Sequence, residues 1–555
     1  RGLDVQDDAL LPLGDLPVVY PYIVDNLGEA LTAKRRGRAL LLSHRTPVLA
    51  TGGLSDGMGQ LHELMHEWAI DLKWPLERVR RELDAFLDAL HPWLDQVANA
   101  SQPRGLAVFG KVPDAGLRRQ LILQSLRMPL LDALGEDVDE TFLMDYRKIE
   151  ESRPMRWLKV ALDDADAAAR LDLRPQRAGA VPNRAAERRI DQEALRALAE
   201  RAQTLDRLFA VDNEMPGLLA ALDGRFVAAA YGGDPIRNPD SLPTGRNLIG
   251  LDPARLPTQQ AYTVAQLLFD QWLEDWRKAH AGAMPERLAL SLWAGETLRH
   301  QGVMEAQALV ALGVRPLWDE AGRPRGVQRI PPAELGRPRV DVLLSVTGSY
   351  RDQFPALMAL VDSAVAEAAK GEPDGVIARH SRDVADELRR HGAPAALAER
   401  LGRVRVFGNA PGDYGTGIAE ATLDDRLQTR DARLGGMFLQ RMSQPYVDGV
   451  AVDDLPPGIS AQALGAQLRR TDAALLSRTS NLYGMVSSDD PFQYLGGLAA
   501  AARSAGREAP LDLYVSQLQH ADEPYAQRAQ QSIAAEMQSR YLHPGWVEAM
   551  QQEGY

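Results

Sequence analysis

Short apolar runs alternate with helical segments in the middle of the chain, and this alternation constrains the fold more than any other feature of the sequence. The runs are LALSLW (288–293), GVRPLW (313–318) and VDVLLSVTG (340–348), and residues 303–312 have a helical pattern. Strands that alternate with helices form parallel sheets, because a parallel connection must cross over the sheet. We therefore predict a mixed, helix-rich α/β protein with at least one partly parallel α/β domain.

The chain is too long for one hydrophobic core, since single cores stop growing at roughly 250–300 residues and this chain has 555. Apolar residues recur at helical spacing over 28–39 and 61–90, whereas 174–189 lacks the large apolar residues that a core face needs. Near the end, 525–542 is a long candidate helix that Pro544 stops. The expected regions are a mostly helical region (1–175), a linker or mobile loop (176–205), an α/β ligand-binding region (206–423) and a helical C-terminal region (424–555).

Charge and composition exclude several classes of protein and site. The formal net charge of −13 argues against binding of DNA or RNA, whose phosphates attract basic surfaces. The chain has no cysteine, so disulfides, thiolate zinc sites and iron–sulfur clusters are excluded. No segment approaches the roughly 20 uninterrupted apolar residues of a membrane helix. Any metal must therefore be bound by His, Asp, Glu or backbone oxygen.

The most specific local feature is GGDPIRNPDSLPTGRN (232–247), a turn-rich segment between apolar stretches. Glycine lets backbone approach a ligand closely, proline stiffens the loop, and arginine grips carboxylates with its planar fork. The alternative is a structural Ω-loop whose polar groups satisfy one another. The candidate ligand-binding residues of this loop are Asp234, Arg237, Asn238, Arg246 and Asn247.

Two further segments supply candidate binding residues. The first follows the strand predicted at 288–293, at the strand end where α/β sheets tend to bind ligands, and its alternative is an ordinary ion pair. The second, RVFGNAPGDYGTGIAE (405–420), is another glycine-rich loop. The candidates are Glu296, Arg299 and Glu305 in the first segment and Asn409, Asp413 and Tyr414 in the second.

One motif points to a different class of protein. His62, Glu63 and His66 spell H-E-x-x-H, which on a helix places two imidazoles one turn apart for zinc, with the glutamate as base. A zinc metallopeptidase is therefore the remote alternative. The surrounding apolar residues also fit an ordinary amphipathic helix, and the metzincin extension H-x-x-G-x-x-H is absent.

Several segments together resemble, in order, successive landmarks of the large subunit of cobaltochelatase and of its counterpart in magnesium chelatase. The resemblance covers nearly the whole chain. We expect the fragment to begin late in such a protein and the protein to continue past Tyr555. The segments are YPYIVDNLGEALTAKRRG, ALDGRFVAAAYGGDPIRNPDSLPTGRNLIGLDPARLPT, GETLRHQGVMEAQALVALGVRPLWD, ELGRPRVDVLLSVTGSYRDQFP, VFGNAPGDYGTG, DDPFQYLGGLAAAAR and YLHPGWVEAM.

The resemblance implies a cytoplasmic, multi-subunit enzyme that inserts a divalent metal into a tetrapyrrole, with membrane association left to segments outside this fragment. The expected reaction is insertion of Co2+ into hydrogenobyrinic acid a,c-diamide in cobalamin biosynthesis, a ligase reaction. AAA+ partner subunits are expected to hydrolyse ATP, and no G-x-x-x-x-G-K-[ST] phosphate loop occurs in this chain. The alternatives are a porphyrin chelatase for Mg2+, a cobaltochelatase-like haem dechelatase that removes Fe2+, and a non-catalytic tetrapyrrole carrier.

Three residues are the candidates for handling metal and protons. Glu29 aligns with an acidic residue of the family pattern N-P-x-E-A-x-x-A-K-R-R, although Leu27 replaces the proline, and its alternative role is that of a helix-start glutamate. His44, in SHRTP, is a candidate for metal binding and proton transfer, as Glu29 is, because an imidazole can deliver or receive a proton near neutral pH. Glu214 precedes the 232–247 loop and is a further catalytic candidate.

Overall fold

The computed structural model describes residues 14–71, 77–138, 140–171, 190–423, 431–519 and 524–554. The protein divides into two compact units that are interleaved along the chain. The first unit comprises Arg1–Val18, Asn26–Ala39 and Gly250–Ser532, and the second comprises Val19–Asp25, Leu40–Ile249 and Ile533–Tyr555. Within the described ranges, no helix is both long and apolar enough to cross a membrane.

Helices and strands alternate through much of the described chain, which confirms the predicted mixed α/β class. The strands are β1 (Val19–Ile23), β2 (Leu40–His44), β3 (Val48–Thr51), β4 (Ser101–Arg104), β5 (Ala229–Tyr231), β6 (Asn247–Ile249), β7 (Arg287–Leu292), β8 (Val314–Trp318), β9 (Pro324–Arg329), β10 (Asp341–Val346), β11 (Val406–Gly408), β12 (Gln444–Val447), β13 (Val450–Ala451), β14 (Ala473–Arg478), β15 (Asp512–Gln517) and β16 (Tyr525–Arg528). The helices are α1 (Gly28–Gly37), α2 (Asp56–Asp71), α3 (Glu77–Ala98), α4 (Ala115–Leu134), α5 (Arg153–Ala161), α6 (Ala165–Ala169), α7 (Gln192–Ala210), α8 (Glu214–Leu222), α9 (Gln259–Ala279), α10 (Ala294–Arg299), α11 (Val303–Leu312), α12 (Pro332–Leu335), α13 (Gly348–Gln353), α14 (Pro355–Ala369), α15 (Val376–Arg390), α16 (Ala395–Arg403), α17 (Ile418–Thr422), α18 (Asp431–Arg441), α19 (Ile459–Leu468), α20 (Gly497–Ser504), α21 (Ala529–Glu536) and α22 (Pro544–Gln552).

The first unit is organised around an eight-stranded sheet with the order β13-β12-β11-β10-β7-β14-β15-β16. The strands β11, β10, β7, β14 and β15 are parallel, and antiparallel strands flank them. All residues of β7, β10 and β14 are buried, as expected for parallel strands covered by helices on both faces. The chain enters the sheet at β7, adds β10 and β11 on one side, and then returns to add β14 and β15 on the other. The sheet is therefore doubly wound, with its topological switch point between β7 and β14.

A buried charge cluster holds together the amino ends of the central strands. Asp341, the first residue of β10, accepts hydrogen bonds from Arg287 Nε at 3.0 Å and Arg405 Nε at 2.8 Å, and its Oδ2 lies 2.9 Å from His380 Nδ1. Burial alone would raise the pKa of Asp341, but the two guanidinium groups outweigh burial and hold it far below its usual range. Burial lowers the pKa of Arg287 to about 10. The amino edge of the sheet is thus occupied by structural charges, which leaves the carboxyl edge for ligands.

The second unit contains a smaller sheet and a helical core. Its four-stranded sheet has the order β1-β2-β6-β5, and β3 pairs antiparallel with β4. Buried apolar residues of α4, α5 and α7 pack around Trp157 and Phe142, both of which have no exposed surface. Asp114 and Asp191 cap α4 and α7 through hydrogen bonds to the backbone amides of the first turn.

Four segments differ from the sequence-based expectation. The GVRPLW run (β8) does not join the large sheet but pairs antiparallel with β9, where Pro316, which has no N–H, is tolerated. The expected helix over 525–542 begins as strand β16, and the expected helical region 424–555 also supplies β12 to β15. In the expected linker, residues 172–189 lie outside the described residues, and α7 occupies the part from Gln192 onward.

Candidate functional site

Glu296 and Arg299 lie at the switch point of the first unit, because α10 begins directly after β7. Glu296 Oε2 accepts hydrogen bonds from Ser477 Oγ at 3.2 Å and Thr479 Oγ1 at 2.8 Å, at the end of β14. Glu296 Oε1 accepts one from Arg299 Nη2 at 2.7 Å. Burial opposes ionisation of Glu296, but the charges of Arg299 and Arg478 outweigh it and lower the pKa of the carboxyl. The two residues follow the end of a strand, as predicted, and they brace β7 against β14, whereas ligand binding by them stays a prediction.

Beside this brace, the partly exposed ring of Trp293 forms an aromatic surface that is backed by the buried side chains of Arg478 and Tyr494. The guanidinium carbon of Arg478 lies 5.1 Å from the centre of the Trp293 ring, and the rings of Trp293 and Tyr494 are 5.8 Å apart. Burial and then the charges of Asp490 and Asp489 raise the pKa of Tyr494 well above its usual range. A flat conjugated ring stacks favourably on such a surface.

The amino end of α1 is held at the same edge of the sheet. Gln353 Nε2, in α13, donates to the Gly28 carbonyl at 3.0 Å. A Cβ on Gly28 would lie only 3.0 Å from the backbone nitrogen of Gly295 in α10, so α1 can approach α10 this closely because residue 28 is glycine. Glu29, in the first turn of α1, is exposed at this edge.

An acidic pair that the sequence analysis did not select, Asp489 and Asp490, follows β14, and the charge of Asp490 interacts with that of Glu29. Burial raises the pKa of Asp490, and the charges of Asp489 and Glu29 raise it further, while Arg478 opposes them. Gln493 Nε2 lies 3.3 Å from Asp489 Oδ2 and 3.4 Å from Asp490 Oδ1. In the sequence, this acidic pair was indicated only by the DDPFQYLGG segment, in which two acids precede a proline.

The glycine-rich loop after β11 is fastened to α13 and α1. Tyr414 Oη donates to Asp352 Oδ2 at 2.6 Å, and Arg36 Nη2 lies 3.5 Å from the same oxygen. Asn409 is buried, and its Nδ2 donates to the Gly415 carbonyl at 2.8 Å. Asp413 is exposed, and its backbone oxygen accepts from Arg351 at 3.1 Å. Tyr414 and Asp413 are thus accessible at the carboxyl edge, whereas the amide of Asn409 shapes the loop from inside.

Glu305 lies inside the first unit rather than on its surface. Its Oε1 accepts from Thr297 Oγ1 at 2.8 Å, and only 1% of the residue is exposed. Burial raises the pKa of Glu305, and burial together with Glu305 raises that of Tyr350 well above its usual range. A direct role in ligand binding stays a prediction.

In the second unit, the 232–247 loop uses most of its polar groups internally. Asp234 Oδ1 accepts from the Ile236 amide at 3.0 Å, and Asn238 Nδ2 donates to the Gly232 carbonyl at 3.2 Å. Arg246 donates to the carbonyls of Pro243 and Leu242. These bonds favour the Ω-loop alternative. Asn247 begins β6, and the Arg237 amide donates to the Asp234 carbonyl, so ligand binding by these residues stays a prediction.

Two of the three proton-transfer candidates, His44 and Glu214, are in direct contact. Nδ1 of His44, at the end of β2, lies 3.1 Å from Glu214 Oε2 at the start of α8. Glu214 also accepts from the amides of Arg45 and Gly110, each at 2.8 Å, and from Thr244 Oγ1 at 2.7 Å. Burial would raise the pKa of Glu214, but these bonds outweigh burial and lower it to about 2.

The carboxylate therefore stays ionised and orients the imidazole through Nδ1. This arrangement suits a histidine that binds a metal or transfers a proton through Nε2. Glu29 and His44 belong to different compact units.

The comparisons with known proteins all point to the same family. A family described as CobN/Magnesium Chelatase matches residues 1–555. The aerobic cobaltochelatase subunit CobN of Pseudomonas aeruginosa is 32% identical over 99% of this chain and 47% of its own length. The corresponding magnesium-chelatase protein of Cereibacter sphaeroides is 31% identical over 98% of this chain and 39% of its own.

A solved structure has a similar fold. The catalytic subunit of cobaltochelatase from Mycobacterium tuberculosis superposes with a TM-score of 0.80 at 27% identity, covering 98% of this chain and 48% of that one. The chain thus spans about half the length of the relatives it matches.

Proposed function

Because this chain belongs to the CobN/magnesium chelatase family, we propose that it forms the tetrapyrrole-binding part of the large subunit of an ATP-dependent chelatase. The proposed reaction is insertion of Co2+ into a corrin, in the cytoplasm. ATP is hydrolysed by AAA+ partner subunits, since this chain has no phosphate-loop motif.

One observation carries this proposal: the first turn of α1, with Glu29, is seated at the switch point of the doubly wound sheet. Ligands of open α/β sheets bind at this crevice, at the carboxyl ends of the strands. Glu29, Asp489 and Asp490 provide carboxylates there, and Trp293, packed against the buried guanidinium of Arg478, provides a partly exposed aromatic face. Tyr414 and Phe492, each nearly half exposed, add accessible aromatic area.

The proposed roles of the acidic residues follow from the release of protons during metal insertion. Insertion of a divalent cation into a corrin, which binds metal as a monoanion, releases one proton from the ring nitrogens, whereas insertion into a porphyrin releases two. Glu29 contacts the incoming ion as it sheds water and takes the proton that the corrin releases. Asp490, whose pKa is raised by burial and by its acidic neighbours, takes the second proton where the ring is a porphyrin.

We propose cobalt rather than magnesium as the inserted metal because two sequence segments resemble the cobalt branch of the family. Identity to the cobalt and magnesium relatives is nearly equal, at 32% and 31%. The RNP at 237–239 and the DDPFQYLGG at 489–497 resemble the cobalt branch more closely. The segment NLYGMVSSDDPFQYLGG also resembles haem-uptake relatives proposed to remove iron, which is the second candidate.

The proposed role of Glu29 is tested with Glu29→Gln in the full-length protein, supplied with its ATPase partners, ATP, Co2+ and the corrin. We expect the ring affinity to be unchanged and insertion to be abolished, because the amide cannot take the proton. The matched control is Glu193→Gln, which alters an exposed first-turn glutamate of α7. Normal insertion by Glu29→Gln would remove Glu29 from the mechanism.

The choice of ring is tested by fluorescence and absorbance titrations with hydrogenobyrinic acid a,c-diamide, protoporphyrin and haem. Preference for the corrin supports cobalt insertion. Preference for protoporphyrin points to the porphyrin branch, and preference for haem points to iron removal. Tight binding without metal exchange, in the presence of partners and ATP, would indicate a carrier.

A further inference from the structure

Three metal-ligating side chains meet within the second unit, apart from the groups discussed above. They are His62 of α2, His91 of α3 and Glu140, in the connection between α4 and α5. His62 Nε2 lies 3.3 Å from Glu140 Oε2, and His91 Nε2 lies 2.8 Å from Glu140 Oε1. One ligand atom from each of the three residues lies within 4.8 Å of the other two. The rings of the two histidines are 5.6 Å apart between centres.

We propose that His62, His91 and Glu140 form a binding site for a divalent first-row transition metal, with Zn2+ as the preferred ion. Two imidazoles and a carboxylate are a common zinc ligand set, and imidazole disfavours Mg2+ and Ca2+. Ligands about 2.0–2.2 Å from a tetrahedral zinc lie roughly 3.3–3.6 Å from one another. The His62–Glu140 separation already fits this value, and small side-chain rotations bring the others to it.

The burial of the three groups also suits an ion. The side chain of His62 is 1% exposed, whereas those of His91 and Glu140 are 27% and 28% exposed. The cluster therefore has a buried floor and a partly open side through which an ion reaches it. Three protein ligands leave a fourth position for water or another donor.

This ligand set differs from the one predicted from the H-E-x-x-H motif. Of that motif, His62 belongs to the cluster and Glu63 is exposed, whereas the side chain of His66 lies outside the described residues. The second histidine and the acid come from other elements, so a bound ion would link α2, α3 and the segment after α4. The inference does not depend on the proposed chelatase function.

The test is metal binding by the purified full chain without tetrapyrrole. Titration with Co2+ should give visible d–d absorption that saturates at one ion per chain, and Zn2+ should displace the Co2+. His91→Ala and Glu140→Gln should each weaken binding at least about 100-fold, since loss of outer partners alone costs 10–100-fold. With Zn2+ at about 100 times its Kd, the folding equilibrium should shift about 100-fold toward the folded state.

Two kinds of control make the result specific. His280→Ala removes a histidine that also contacts a carboxylate, with Nε2 3.0 Å from Asp512 Oδ2, but that is not part of a three-ligand group in the described chain. Glu29→Gln and His44→Ala test whether the ion binds at the proposed insertion groups instead. All three should retain the Co2+ spectrum and the affinity for Zn2+.

The variants are compared by far-ultraviolet circular dichroism without metal, and Glu140→Gln, which keeps the side-chain shape, stands in if His91→Ala does not fold. Equal affinity in wild type and both cluster variants would overturn the proposal. So would the absence of stoichiometric binding in the wild type. Loss of binding in Glu29→Gln, with the cluster variants unaffected, would assign the ion to the insertion groups.

Discussion

Replacing Glu214 with Gln should destabilise the second unit by about 3 kcal/mol at pH 7. Glu214 has no exposed surface, and its pKa is about 2 rather than 4.5. Each pKa unit corresponds to about 1.36 kcal/mol of preference for the charged form, so the difference corresponds to about 3 kcal/mol. Glutamine keeps the shape but loses the charge, and its NH2 group faces donors that the carboxylate accepted from.

The pH dependence has a definite sign. The folded-state pKa of Glu214 is depressed, so its contribution is complete above the unfolded value of 4.5 and is lost as the pH falls toward about 2. The glutamine variant lacks the contribution at every pH. The stability difference between wild type and variant should therefore shrink by about 1.4 kcal/mol between pH 7 and about pH 3.5.

Hydrogen exchange and urea unfolding measure these effects. The Arg45 and Gly110 amides donate to Glu214, so their exchange in the variant should accelerate about 100-fold at pH 7. Urea unfolding gives the stability difference at the two pH values, and Glu193→Gln is the exposed control. A loss below about 1 kcal/mol at pH 7, or a difference that does not change with pH, would refute the reasoning.

Two other substitutions test the sheet and the seating of α1. Asp341→Asn should lower the free energy of unfolding, measured by thermal unfolding, by about 3–5 kcal/mol, because Arg287 and Arg405 are left buried without their counter-charge. The control is Asp374→Asn, which alters an exposed residue and should leave the free energy of unfolding unchanged. An equal loss in both variants would contradict this explanation. Gly28→Ala should reduce metal insertion with little change in ring affinity, because the added Cβ pushes α1 from α10. Gly436→Ala, where the added Cβ meets no atom within 4 Å, is its control in the same insertion and titration assays.

Local sequence patterns predicted several strands and helices at the centre of the first unit. The apolar run at 288–293 overlaps β7, the run at 340–348 contains β10, and the helical pattern at 303–312 is α11. Glu296 could be assigned to a strand end because a short polar segment follows β7 directly. Local patterns failed where long-range pairing decided the conformation, as for β16 at 525–528, which is a strand because it pairs with β15.

In the candidate sites, too, local sequence identified individual residues, and long-range packing decided which of them are in contact. Glu296 and Thr479 are separated by 183 positions in sequence and yet are hydrogen-bonded, because β7 and β14 are neighbours in the sheet. No spacing rule in the sequence pairs Asp490 with Glu29. The H-E-x-x-H spacing suggested His66, whose side chain lies outside the described residues, as a partner of His62, and the tertiary structure brings His91 and Glu140 to His62.

The sequence by itself determined the family and the α/β class, which the comparisons and the fold confirmed, and it indicated the segments that hold the candidate binding residues. These properties depend on residue order and on apolar periodicity, which are local. Tertiary structure alone decided the strand order, the position of the switch point and the acids that meet there. Such contacts arise only when distant segments pair, because the free energy that selects them comes from burial of the whole sheet and its helices.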